Sequence, residues 1–203
     1  MSTVPDDRLA EPIVVTLDAV SAFRSLGIRY AVGGSLASSL HGKPRSTDDV
    51  VLVAEIALAH VDALVAAWRP VYYVDGEMIR DAIRRRASFN IIHLETMLKL
   101  DVFVAGRDAL AREELDRARA HRVSDDPPCE LVLVSAEDIV LQKLRWYRLG
   151  GGVSDRQWRD VLGVLAVRGD DLDADYLRRW SRDLEVEDLL DRALAEDAAA
   201  RSG

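Results

Sequence analysis

Two glycines followed by a hydroxyl, with a pair of acids a short way downstream, are the residues of this chain best suited to chemistry. In residues 31–53, AVGGSLASSLHGKPRSTDDVVLV, an apolar run ending at Val32 meets Gly33 and Gly34, and a helix-like segment follows over 35–40. A second turn, His41-Gly42-Lys43-Pro44, leads to another apolar run that carries Asp48 and Asp49 near its start. The pattern reads as strand, glycine turn, short helix and neighbouring strand. Glycines let the backbone approach a ligand closely, and the unpaired N–H groups at a helix start suit a phosphate. Ser35 adds a hydroxyl there, and a carboxylate on the adjacent strand could hold a divalent cation against the same phosphates.

A third acid lies further on. Residues 88–94 and 98–104 read as two strands joined by a turn around Glu95-Thr96, and the second, LKLDVFV, sets Asp101 in an apolar run. Strand side chains alternate, so Lys99 and Asp101 share a face. A lone aspartate in such a run is costly unless paired, hydrogen bonded or metal bound, and its bland alternative is an edge position facing water. The same alternation puts Asp49, Val51 and Val53 on one face and Asp48, Val50 and Leu52 on the other. Asp48 therefore cannot stand in for a carboxylate at position 51.

The string GGSLASSLHGKPRSTDDVVLV resembles the signature of the nucleotidyltransferase superfamily, the polymerase-beta-like fold, and within it the bacterial abortive-infection and toxin–antitoxin type. The pattern there is a Gly-Gly or Gly-Ser turn, a short helix, then Arg-x-Thr-x-Asp-hydrophobic-Asp, matched here by Gly33, Gly34, Ser35, Arg45, Thr47 and Asp49. Val51 departs from it, standing where the second metal-binding aspartate is found. The resemblance implies an α+β, mixed-sheet nucleotidyltransferase domain with a helical C-terminal domain, and transfer of a nucleoside monophosphate from an NTP to an acceptor hydroxyl. It implies Mg²⁺, or Mn²⁺, held by Asp49 and Asp101, with Gly33, Gly34, Ser35, Arg45, Thr47 and Lys99 around the nucleotide. The acceptor is open: a tRNA, a protein or a small molecule. A cognate antitoxin or other partner protein follows from the same resemblance. Two-metal phosphoryl transfer needs several oxygen ligands, so Val51 also admits a degenerate nucleotide-binding or partner-binding module.

Composition frames these readings. The 203-residue chain is 49% hydrophobic and 31% charged, an ordinary globular balance, and its net charge of -8 argues against coating nucleic acid by bulk charge. One cysteine, Cys129, rules out an intrachain disulfide framework. No apolar run is long enough to span a bilayer, and the polar, acidic start MSTVPDDRLAEP is unlike a secretory signal, so a cytoplasmic protein with about 11 flexible leading residues is expected.

Apolar periodicity predicts helices over 13–26, 56–68, 76–86 and 108–121. Arg80, Arg84, Arg85 and Arg86 cluster on the third, either to meet phosphates or as a solvated face balanced by acids. His41 and His93 have no second ligand at zinc spacing and read as structural. The prolines of SDDPPC, 124–129, mark a loop and the boundary between an N-terminal domain over 1–128 and a mainly helical domain over 129–203. After a last strand at 131–134, helices are expected from Ser135 to Leu149, from Ser154, over 173–183 and over 186–196, with Trp146, Trp158 and Trp180 as core residues. The pattern SAEDIVLQKLRWYR…SDRQWRD adds to the resemblance, which implies catalytic roles for Lys143 on phosphate and Asp160 as its orienting acid. An interhelical ion pair between the two explains them equally well.

Overall fold

The computed structural model describes residues 9–44, 49–106 and 109–202. The described residues divide into two compact units, one built from 9–36, 49–106 and 109–133 and the other from 37–44 and 134–202.

The first unit is a seven-stranded mixed sheet with helices. Its strands are β1 (Tyr30–Gly33), β2 (Asp49–Ala54), β3 (Tyr72–Tyr73), β4 (Ser88–His93), β5 (Lys99–Val104), β6 (Arg119–Asp125) and β7 (Pro128–Leu133), in the order β3-β4-β5-β2-β1-β7-β6. β2 runs parallel to β5 and antiparallel to β1, which places the two motif strands at the centre of the sheet. The middle of β2 and the length of β5 alternate. Val50, Leu52, Leu100 and Val102 are fully buried on one face, while Val51, Lys99, Asp101 and Phe103 on the other are half-buried.

The buried face carries the core. Helix α1 (Glu11–Ser25) presents Val15, Ala19, Val20 and Phe23, and α3 (Val61–Trp68) presents Leu64 and Trp68. Phe23 and Trp68 meet edge to face with centroids 5.3 Å apart. Two large polar-tipped aromatics are accommodated because α1 carbonyls accept from them: Trp68 Nε1 donates to Ala19 O at 3.0 Å and the Tyr72 hydroxyl donates to Val15 O at 2.9 Å.

Two expectations need correction. The helix expected over 108–121 is the shorter α5 (Ala109–Arg117), and residues from Arg119 form β6. SDDPPC is the turn of a β6–β7 hairpin within the first unit, with Asp125 opposite Pro128. Proline is tolerated there because β7 begins at it, where one missing N–H costs least. The segment's charges had masked a strand whose exposed and half-buried residues lie at the edge of the sheet.

Besides the C-terminal part of α2 (Gly34–His41), the second unit holds α6 (Ala136–Leu149), α7 (Asp155–Arg168), α8 (Ala174–Asp183) and α9 (Glu187–Ser202). Caps fall where the sequence sets them: Ser135 accepts from the Asp138 N–H, Ser154 from Gln157 and Asp173 from Tyr176. Trp158 and Trp180 are buried, but Trp146 is 52% exposed and is no part of the core. α6 buries the face carrying Ile139, Val140, Lys143, Leu144 and Tyr147, and Trp146 lies off it. No described helix is long and apolar enough to cross a membrane.

Candidate nucleotide site

A row of backbone partners crosses the middle of the sheet. Gly33 on β1 is paired with Val51 on β2, Val51 with Asp101 on β5, and Asp101 with Asn90 on β4. Cross-strand partners project to the same face, so Val51, Asp101 and Asn90 stand side by side on the half-buried surface. Two residues along the strands, Asp49 is paired with Lys99 and Lys99 with Ile92.

Helix α2 starts at the end of this row. Gly34 is its first residue and has φ +63°, a left-handed conformation that makes the sharp exit from β1. A Cβ on Gly34 would lie 2.6 Å from Val51 Cγ2 and 2.8 Å from Val51 Cβ. The glycine therefore has two reasons to be there: the backbone angle and the closeness of the β2 side chain. Ser35 follows in the first turn and is buried. The first-turn N–H groups of an eight-residue helix thus lie next to Val51.

Asp101 is bound by its own strand. Lys99 Nζ lies 3.0 Å from Asp101 Oδ2, with side chains 44% and 29% exposed. Gly33 and Asp101 are separated by β2, hence by two strand spacings, roughly 10 Å. A cation at a carboxylate sits about 2.0–2.6 Å from the oxygen, so one held by Asp101 cannot reach the α2 N-terminus. A triphosphate is long enough to bridge the two.

The expected residues fall into three groups. Gly33, Gly34, Ser35, Lys99 and Asp101 belong to one sheet region, and Asp49 opens β2 opposite Lys99. Arg45 and Thr47 lie outside the described residues, as does the Asp49 side chain. Lys143 and Asp160 belong to the second unit, where Lys143 Nζ donates to Asp160 Oδ2 at 2.7 Å between α6 and α7 and both side chains are almost wholly buried. That geometry is an interhelical ion pair.

Other candidates resolve into structural roles. His41 Nε2 sits 2.8 Å from Val134 O, and His93 Nδ1 accepts the Thr96 N–H at 3.2 Å in the β4–β5 turn. On α4 (Gly76–Arg85), Arg80 is paired with Asp62 at 2.5 Å and Glu77 at 2.8 Å, and Arg85 with Asp81 at 3.0 Å, the balanced face anticipated for a charge run. Two residues were missed. Asn90 joins Asp101 in the row, and the alternation of SFNIIH, with Phe89 and Ile91 buried, was the signal that puts it on the carboxylate's face. In the second unit Gly42 comes so close to α7 that a Cβ would lie 2.7 Å from the Gly163 carbonyl carbon, which only glycine allows.

This architecture is the nucleotidyltransferase fold. A nucleotidyltransferase-like antigenic protein of Paracoccidioides brasiliensis superposes with a TM-score of 0.53 at 18% identity, covering 92% of this chain and 94% of that one. The antibiotic-resistance factor ANT(2″)-Ia superposes with a TM-score of 0.55 at 13% identity, over 96% of this chain and all of its own length. A second structure of ANT(2″)-Ia, in complex with adenylyl-2″-tobramycin, gives 0.50 at 12% identity over 87% of this chain and 98% of that one. At these identities the likeness is one of fold. No protein-family model matches the sequence, and no curated protein matches it.

The described residues of the row do not supply the carboxylate set that the sequence resemblance implies, and the Asp49 side chain lies outside them. Position 51 is an apolar side chain packed at Gly34, Asp101 is already paired with Lys99, and the described residues contain no group of three metal-ligating side chains.

Proposed function

We propose that the chain binds a nucleoside triphosphate across the row from Gly34 to Asp101 and transfers its nucleoside monophosphate to an acceptor hydroxyl, releasing pyrophosphate. The observation that carries this reading is the glycine turn at φ +63° that sets the α2 N-terminus beside Val51, two strands from Asp101. The N–H groups of Gly34 and Ser35 would receive phosphate oxygens, helped by the helix dipole, and the Lys99 ammonium would offset their charge. Asp49 and Asp101 are the carboxylates available to one Mg²⁺, which would supply Lewis-acid stabilisation of the transferring phosphoryl group. Arg45, Thr47, Lys143 and Asp160 keep their proposed roles on sequence resemblance alone. So does a toxin–antitoxin partnership, whereas a cytoplasmic location rests on composition.

The acceptor is best sought among small hydroxyl compounds. Two of the superposed structures are of ANT(2″)-Ia, one of them in complex with adenylyl-2″-tobramycin, and a net charge of -8 weakens the case for extended RNA contacts. The test is incubation with each α-labelled NTP, Mg²⁺ and, in turn, aminoglycosides, bulk tRNA and protein, followed by detection of labelled product. Label transfer that disappears in Asp101→Asn supports the reading, whereas NTP binding with no transfer to any acceptor sinks the enzymatic half.

A second reading has its own observation. Val51 is packed against Gly34 at the position where a second carboxylate would be needed, which favours a nucleotide-binding module without turnover. Val51→Asp separates the two: a large gain in NTP consumption marks a site otherwise assembled for transfer, and no gain marks a module whose loss of chemistry is wider.

A further inference from the structure

Beyond Asp101 the half-buried face of the sheet continues over β4 and β3, away from the α2 N-terminus. We propose that Asn90, Ile92 and Tyr73 on this stretch form the acceptor subsite, and that it takes a sugar-like ring, a cyclic polyol carrying the hydroxyl to be modified. The proposal rests on the nucleotide-binding reading above.

The placement follows from register. Asn90 is the backbone partner of Asp101, Ile92 lies two residues further along β4, and Tyr73 on β3 is the backbone partner of Ile92. Alternation puts all three side chains on the face of Asp101. Their chain neighbours go the other way: Phe89 and Ile91 are buried, and the Tyr72 hydroxyl donates to Val15 O on α1. Tyr73 is therefore turned away from the core, and this aromatic residue is 55% exposed. Asn90 and Ile92 are half-buried. Directly opposed side chains on neighbouring strands stand about 5 Å apart and diagonal ones roughly 7–8 Å. Asp101, Asn90, Ile92 and Tyr73 thus span two strand spacings, about 10 Å, enough for a small ring compound.

Direction gives the patch its role. In phosphoryl transfer the attacking and leaving oxygens lie roughly in line through the phosphorus. With the pyrophosphate portion at the α2 N-terminus and the α-phosphorus toward Asp101, the leaving oxygen points along the row toward β1. The attacking hydroxyl then enters from the opposite end, over β4 and β3. Its oxygen bonds to the α-phosphorus as the bond to pyrophosphate breaks. The pyrophosphate departs with that electron pair, and the hydroxyl proton passes to solvent. The lining selects the acceptor. An aromatic ring and an aliphatic side chain suit the C–H face of a saturated ring, while a carboxamide offers hydroxyls both donors and an acceptor. Asn90, Ile92 and Tyr73 carry no charge, so the patch gives a polynucleotide's phosphates no cation to pair with.

The experiment follows the backbone amide, Asn90 side-chain amide and Tyr73 ring resonances of the full labelled chain. An α,β-methylene analogue of each NTP is added in Mg²⁺, and then tobramycin, myo-inositol or, as an open-chain control, glycerol. At least one cyclic probe is expected to give saturable shifts at Asn90 and Tyr73 and to bind about tenfold or more tightly than glycerol. Tyr73→Ala is expected to weaken that probe about tenfold while nucleotide affinity stays within about threefold. Tyr73→Phe keeps the ring and is expected to keep the binding. Asn90→Ala, on a different strand, is the second variant and is expected to weaken the probe about fivefold. Nucleotide shifts at Gly34 and Ser35 with no shift at Asn90 or Tyr73 from any probe overturn the subsite and leave the nucleotide reading intact. Equal weakening of probe and nucleotide in Tyr73→Ala also overturns it, because the ring then serves the base. So does unchanged probe binding in both Tyr73→Ala and Asn90→Ala, or glycerol binding as tightly as the rings. No nucleotide shift with any analogue overturns the nucleotide reading and the subsite with it.

Discussion

Gly34→Ala is expected to damage the protein through two separable terms. Its φ of +63° lies in the left-handed region, where an L residue costs roughly 1–2 kcal/mol. Its new Cβ would lie 2.6 Å from Val51 Cγ2 and 2.8 Å from Val51 Cβ, an overlap in a packed sheet that costs about 1–3 kcal/mol. Together they predict a loss of roughly 2–5 kcal/mol, a large share of the about 5–15 kcal/mol of a whole domain. The urea midpoint reports it, and variants at position 51 divide it. Val51→Ala removes the 2.6 Å contact but leaves the 2.8 Å one, so it relieves the clash in part. Val51→Gly removes both and leaves only the backbone term. A double-mutant cycle should therefore show positive coupling between positions 34 and 51, greater for Val51→Gly than for Val51→Ala. A Gly34→Ala protein within about 0.5 kcal/mol of wild type, or additive effects at the two positions, would refute the close approach on which the site depends.

The buried Lys143–Asp160 pair makes a different kind of prediction. Lys143→Met alone should cost about 3–5 kcal/mol in urea denaturation because Asp160 is left buried and charged, and adding Asp160→Leu should recover most of it. Failure of the second change to recover stability would show that the pair is held by more than its mutual charge. In the second unit, the Trp158 indole N–H and then the Arg192 guanidinium hold the Glu196 carboxyl below its ordinary value of 4.5. A lowered carboxyl contributes stability that is present above pH 4.5 and is lost as the pH falls through the lowered folded value. Glu196→Gln should therefore reduce the acid sensitivity of the melting temperature below that pH while keeping a partner for the indole. An unchanged acid profile would remove Glu196 from the account.

Much of the fold was legible because the sequence carries strong local signals. Alternation in DVVLVA and KLDVFV set the two central strands and put Lys99 and Asp101 on one face, and Ser135, Ser154 and Asp173 marked their helix starts. The β6 strand was hidden because an edge strand has little apolar face to alternate, so its charges read as helix surface. The spacing of Trp146, Trp158 and Trp180 suits a helical core, but spacing between helices does not say which side of α6 Trp146 occupies, and it is exposed. The site was legible only in its chemistry. That Val51 abuts Gly34, that Asn90 stands beside Asp101 and that Gly42 touches α7 are facts of register and close approach. Such contacts join residues distant in the chain, and no local pattern encodes them.

The central claim is that a nucleoside triphosphate is held between the α2 N-terminus and Asp101. The most direct measurement is a titration of the backbone amide resonances of isotope-labelled protein with each NTP in Mg²⁺. The account predicts saturable shifts at Gly34, Ser35, Lys99 and Asp101 for at least one NTP. Saturable shifts confined to other elements, or none with any of the four, would contradict it.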